Sequence, residues 1–262
     1  MTRISFLILV LYVFVDLLCC LTEKVLRGLG EHIPYERRKF IHSLIIPVVF
    51  LLFCWLVKTW ELVTGTSLAH FGIYPREVKG LWGIFFMPFI HGSIGHIVTN
   101  SISFLLLATS LFYFYREIAL KTFIYLFFVA NALLWISGRS SWHIGASGII
   151  YGLGAFLIVS GIIRRHVGLV AVAFIIIFAY GSMFWHIFPL KINDPVSWEG
   201  HLMGTLTGTG LAIIFRNEGP QRKEWKWEDE TEESDDEIPP ENNDQNTTIN
   251  YIITQDNNDK PS

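Results

Sequence analysis

Six apolar runs, roughly 40–60, 91–115, 121–138, 147–163, 168–188 and 199–215, constrain this chain more than any other feature. Each is near the length of about 20 residues that a helix needs to cross hydrocarbon. A backbone inside a bilayer must satisfy its own hydrogen bonds, so the runs are expected to be helices. The interiors of the last five hold no Asp, Glu, Lys or Arg. Composition agrees: 52% of residues are hydrophobic and only 16% are charged, against about 25% charged in a soluble domain. The expectation is an all-α membrane protein built as a six-helix transmembrane bundle.

Basic residues set its orientation. Lys24, Arg27, Arg37, Arg38, Lys39, Arg116, Lys121, Arg164, Arg165, Arg216, Arg222, Lys223 and Lys226 fall on one side. Lys58, Arg76, Lys79, Arg139 and Lys191 fall on the other. The richer side is expected to be cytoplasmic, in a cell (plasma) membrane, so the second, fourth and sixth helices run from outside to inside.

Three segments follow: 1–39, a hydrophobic stretch and basic linker; 40–216, the helical core; and 217–262, an acidic tail. Ile4 to Leu21 is apolar enough to form an extra helix, although Asp16 interrupts it. An interfacial helix is the alternative, and the stretch lacks the small residues of a signal-peptide cleavage site. After Phe215 there are 14 acidic residues against five basic ones, followed by Asn-rich sequence. Such a composition buries too little apolar area to offset ordering, so the tail is read as disordered and cytoplasmic. This charge distribution argues against a nucleic-acid partner. Cys19, Cys20 and Cys54 show no metal or redox spacing and read as packing residues.

Polar groups in hydrocarbon are costly and mark function by default. Gly145-Ala146-Ser147-Gly148 opens the fourth run, with Tyr151 one turn further on the same face. His201-Leu202-Met203-Gly204 begins the sixth, and His91, His96 and Asn100 begin the second. All lie at the outward ends of the even-numbered helices, where they can converge within reach of water.

Peptide hydrolysis needs a nucleophile, a base and donors for the oxyanion. Ser147 offers a hydroxyl at a helix N-terminus, whose free N–H groups favour developing negative charge. Neutral His201 can accept its proton at physiological pH. Glu199 lies two residues from His201, on a different helical face, so the pair reads as a dyad rather than a triad. Gly148 with Gly152, and Gly204 with Gly208, are small-xxx-small pairs that would let the two helices approach closely. Tyr151 is placed to pack on the His201 ring. His96 and Asn100 share a face and suit oxyanion stabilisation beside the Ser147 N–H. His91 lies in the preceding loop, in a supporting role. His143 reads as a packing or gating residue, and His186 as interfacial.

Each motif alone has a plain reading, since membrane helices use Gly, Ala, Ser and His for packing and interhelical hydrogen bonds. Metal binding by His91, His96 and His201 finds no carboxylate on a plausible face and no His-Glu-x-x-His motif. No metal or organic cofactor is expected.

Together, His91-x-x-x-x-His96-x-x-x-Asn100, Gly145-Ala146-Ser147-Gly148-x-x-Tyr151-Gly152 and His201-x-x-Gly204-x-x-x-Gly208 resemble the signature of rhomboid intramembrane serine proteases, in order, spacing and helix placement. The resemblance covers roughly 40–215. It implies a rhomboid-like bundle with a water-filled site opening outward and a partly membrane-embedded loop over about 61–90. It also implies single-pass, membrane-anchored protein substrates cut in or near a transmembrane segment. By the same resemblance Ser147 is the nucleophile, His201 the base, His96 and Asn100 the oxyanion partners, and Tyr151 the residue stacked on the histidine.

Two positions depart from the pattern. Many rhomboids carry Trp-Arg in the first loop, whereas Gly83 follows Trp82 here, so Arg-mediated loop contacts are not carried over. His143-Ile144 stands where some members have an aromatic residue and glycine, which would alter the rim of the site. Two other classes compete: an inactive rhomboid-like binding protein, which typically lacks the serine or the histidine, and a small transporter, for which no inverted repeat is visible.

Overall fold

A computed structural model describes residues 35–188 and 197–221. The extra helix expected over 4–21, the basic linker up to residue 34 and the tail beyond 221 lie outside the described residues. Among the described residues six principal helices form: α1 Tyr35–Thr64, α2 Ile94–Phe114, α3 Ala119–Ser137, α4 Ser147–Arg164, α5 Val167–Tyr180 and α6 Trp198–Ile214. Among the described residues there is no strand, only an isolated antiparallel bridge between Ile73 and His143. The all-α membrane fold expected from the apolar runs is the fold observed.

The helix ends follow local chemistry. Ser93 caps α2 by accepting from the His96 N–H at 3.1 Å, and Ser197 caps α6 by accepting from Gly200 N–H at 3.2 Å. Side-chain oxygens at this position satisfy donors that a helix start leaves unpaired. Two boundaries differ from the sequence reading. The fifth run yields a helix of 14 residues, followed by the 3-10 stretch Gly181–Ile187. Helix α6 has 17 residues, which at 1.5 Å per residue rise span about 26 Å, less than the hydrocarbon thickness of about 30 Å.

Helix α4 is central: 61% of its apolar window is buried, against 22% for α1. It packs most extensively on α6, and glycine is the reason. A Cβ placed on Gly204 would run into the Gly148 carbonyl, and one on Gly208 into the Gly152 carbonyl. Only residues without side chains allow this backbone-to-backbone approach, which in a membrane is a main source of helix association. On the other side of the core, Phe50 of α1 stacks on Phe104 of α2 at 4.3 Å and meets Phe123 of α3 edge-on at 6.0 Å.

The segment between α1 and α2 is a chain of short turns pinned to the α3–α4 connection. Ile73 and His143 exchange backbone hydrogen bonds of 3.0 and 2.8 Å, Arg76 N–H donates to Trp135 C=O at 2.9 Å, and Gly145 N–H donates to Met87 C=O at 2.9 Å. The Arg76 side chain, on a left-handed residue with φ 60°, donates to the Gly138 carbonyl at 3.0 Å. Gly83 packs against the Gly72–Ile73 backbone with no room for a side chain. Val78, Trp82, Phe85 and Phe86 are exposed on this segment.

Candidate active site

The helix seam brings Ser147 and His201 together from positions 54 residues apart, with Ser147 Oγ and His201 Nε2 separated by 3.0 Å. The other ring nitrogen, Nδ1, lies 3.0 Å from the His186 carbonyl oxygen. A carbonyl only accepts, so Nδ1 carries the proton and Nε2 presents its lone pair to the serine hydroxyl. The Tyr151 ring lies parallel to the His201 ring at 4.0 Å and 7°, which restricts the imidazole to one plane. His201 is buried and Ser147 is half-buried, so the hydroxyl keeps an open side.

Ala146, at the N-cap of α4, offers no side-chain hydrogen bond to the first turn. Those N–H groups are not consumed by a side-chain cap, and they sit at the positive end of the helix dipole. Gly145 just before them has φ +107°, a conformation that L side chains rarely adopt. A Cβ there would lie 2.8 Å from His96 Cε1 and 3.6 Å from Asn100 Nδ2. The structure thus gathers the α2 residues His96 and Asn100 against the backbone just ahead of Ser147.

Asn100 is oriented by His91, which precedes α2 and is almost wholly buried. Asn100 Nδ2 donates to His91 Nε2 at 3.1 Å, and His91 Nδ1 lies 3.4 Å from the Phe89 carbonyl. Burial first, then the neighbouring His96 imidazole, pushes the His91 pKa down to about 4. His91 is therefore neutral near pH 7 and able to accept from the Asn100 amide.

Glu199 is buried and pairs with Arg139: Oε1 lies 3.5 Å from Arg139 Nε, while Oε2 has no hydrogen-bond partner among the described residues. His143 joins the connections. Its Nδ1 lies 2.6 Å from Ser197 Oγ, and burial lowers its pKa. Among the described residues, no group of three or more His, Cys, Asp or Glu side chains is placed to hold a metal ion. Sequence reasoning did not find the His186 carbonyl, because a main-chain acceptor leaves no trace in residue type. It also missed the Lys58–Glu61 pair described below, although two charges three residues apart at the end of an apolar run were a visible signal.

Fold and site together describe a polytopic membrane protein with a serine–histidine pair opening beside a helix N-terminus. The family model for the rhomboid domain matches residues 78–218, more than half of the chain, and the protein belongs to the rhomboid family, a family of intramembrane proteases. Uncharacterized proteins of Mycobacterium bovis and Mycobacterium tuberculosis are each 32% identical over 192 residues, covering 67% of this chain and 75% of the relative. An uncharacterized protein of Mycobacterium leprae is 31% identical over 221 residues, covering 79% of this chain and 84% of its own length.

Proposed function

We propose that this protein is a serine endopeptidase that hydrolyses peptide bonds in or near the transmembrane segments of single-pass membrane proteins, with Ser147 as nucleophile and His201 as general base. The observation that carries the reading is the 3.0 Å approach of Ser147 Oγ to His201 Nε2, with Nδ1 turned to the His186 carbonyl. That arrangement selects the tautomer a base requires.

In the first step Ser147 Oγ bonds to the scissile carbonyl carbon while its proton passes to His201 Nε2. The carbonyl oxygen becomes an oxyanion, received by the first-turn N–H groups of α4 with His96 and Asn100. Collapse of the intermediate breaks the C–N bond as His201 returns the proton to the leaving amine. Water then attacks the acyl-enzyme by the same route in reverse. His186 C=O and Tyr151 replace the carboxylate of a triad: the first holds the imidazole by hydrogen bonding, the second by stacking. The positive bias of the loops on the α2–α3, α4–α5 and α6 C-terminal side supports an orientation with the site opening outward and the tail cytoplasmic, which we place in the plasma membrane.

The test is cleavage by purified wild type and Ser147→Ala of a single-pass substrate with small residues at its outer boundary. Wild type alone should cut. Equal cleavage by both would remove Ser147 from the reaction, and a folded wild type that neither cuts nor is labelled at Ser147 by a fluorophosphonate would defeat the protease reading.

A further inference from the structure

A buried ion pair at the end of α1 has no part in the mechanism above. Lys58 and Glu61 are 7% and 8% exposed, and Lys58 Nζ lies 3.0 Å from Glu61 Oε2. The ammonium also donates to the His91 carbonyl at 2.8 Å and, more weakly, approaches the Gly92 carbonyl at 3.5 Å. Its three N–H groups are thereby directed at three acceptors. Glu61 Oε1 accepts from Leu68 N–H at 2.8 Å. One pair thus ties both ends of the α1–α2 connection to the last turns of α1.

We propose that Lys58, held by Glu61, is a positioning residue for the hydrolysis: it fixes the His91 backbone and, through the His91 ring, the Asn100 amide at the oxyanion corner. This rests on the protease reading. The contacts run without a gap from Glu61 to Lys58, to His91, to Asn100, and Asn100 borders Gly145 just ahead of Ser147. The pair is also oriented. Its ammonium faces the His91 carbonyl, and its carboxylate reaches back to Leu68. Its positive end therefore lies toward the place where negative charge develops.

The relay works only while His91 is neutral. The charged or titratable groups facing it are Lys58 and Glu61 from α1 and His96 from α2, with the Phe89 carbonyl from its own segment. Lys58 disfavours a proton on His91 and Glu61 favours one. Removing Lys58 alone leaves the carboxylate to draw a proton onto Nε2, where it would meet the Asn100 N–H head-on.

The experiment uses the full-length protein in detergent with a single-pass substrate, comparing Lys58→Met, Lys58→Arg and the double variant Lys58→Met/Glu61→Gln, which leaves no lone buried charge. Lys58→Met should lower kcat by about ten-fold or more with KM within about two-fold, the signature of an interaction made in the transition state. Lys58→Arg should recover most of the loss, and the double variant should stay folded but slow. Imidazole 15N NMR in the Ser147→Ala background should show the His91 midpoint rising in Lys58→Met and falling back in the double variant. Wild-type kcat in the folded double variant would overturn the proposal, leaving Lys58 a loop staple. An unmoved His91 midpoint in Lys58→Met would break the link to His91 specifically. Failure of wild type to cleave would strike the protease reading instead, and the NMR result would stand apart from it.

Discussion

Ser147 and His201 meet across a seam where two helix backbones touch through glycines, whereas His96 and Asn100 reach the same point from a corner assembled by side chains. In the first half, Gly204 and Gly208 lie on the carbonyls of Gly148 and Gly152, so the geometry is set by the absence of atoms. In the second, Lys58, Glu61, His91 and Asn100 are joined end to end by polar contacts spanning α1, a loop and α2. A glycine seam is stiff and tolerates no added volume. A polar relay is specific and fails at whichever link is removed.

The sharpest way to break this contrast is to add volume to the seam. Gly204→Val would drive a branched side chain into the Gly148 backbone, which cannot give way as a flexible side chain would. The expected outcome is loss of folded protein, and with it loss of all cleavage, read as yield of monodisperse protein. Gly210 lies on the same helix with nothing within 4 Å of an added Cβ, so Gly210→Ala should be neutral or slightly stabilising. Equal tolerance at both positions would show that the seam is not what holds Ser147 against His201.

The relay should respond differently, keeping the fold and losing rate. Asn100→Ala should lower kcat by up to about 10²–10³, the range for a single oxyanion donor, with near-normal folded yield. An unchanged rate would remove Asn100 from the oxyanion site. Acid should loosen the same half. The His91 pKa is depressed from 6.5 to about 4, so below 6.5 the unfolded chain takes up a proton that the folded chain refuses. Stability is then lost as the pH falls through that window, by about 2 kcal/mol between pH 7 and 5. His143, also depressed by burial, acts in the same direction. An SDS titration at the two pH values measures the sum, and His91→Asn should flatten it.

The two halves also differ in how much of them the sequence carried. Small-xxx-small spacing at Gly148, Gly152, Gly204 and Gly208 is a local pattern whose meaning in a membrane is steric, so the seam was legible from residue type alone. The pairing of Ser147 with His201 was read from a hydroxyl and an imidazole at the outward ends of two helices, with the glycines permitting the approach. The relay was only partly visible. His96 and Asn100 share a helical face, but Lys58 was counted among outer loop charges, and only the three-dimensional path of the α1–α2 connection brings it to the His91 carbonyl. The His186 carbonyl that fixes the His201 tautomer could not be read at all, because every residue has a carbonyl. Helix α5 was expected to run to residue 188 on hydropathy. Hydropathy cannot register that the regular helix stops at Tyr180, with Gly181 following.

One position tests whether the seam is carried by backbone packing alone. Ser197 caps α6 by accepting from Gly200 N–H, donates a 2.6 Å hydrogen bond to His143 Nδ1, whose Nε2 faces the Arg139 carbonyl, and stands four residues before His201. It is the point where the seam itself borrows from side-chain contacts. If glycine packing dominates, Ser197→Ala removes a cap worth about 1 kcal/mol and leaves His201 in place, since the Tyr151 stack and the His186 carbonyl remain. The expected outcome is a small loss of stability and a fall in kcat well below that of Asn100→Ala. A loss as large as that of Asn100→Ala, in protein that is still folded, would mean that the base is aimed by the His143–Ser197 contact rather than by the helix seam. The two halves of the site would then be wired alike.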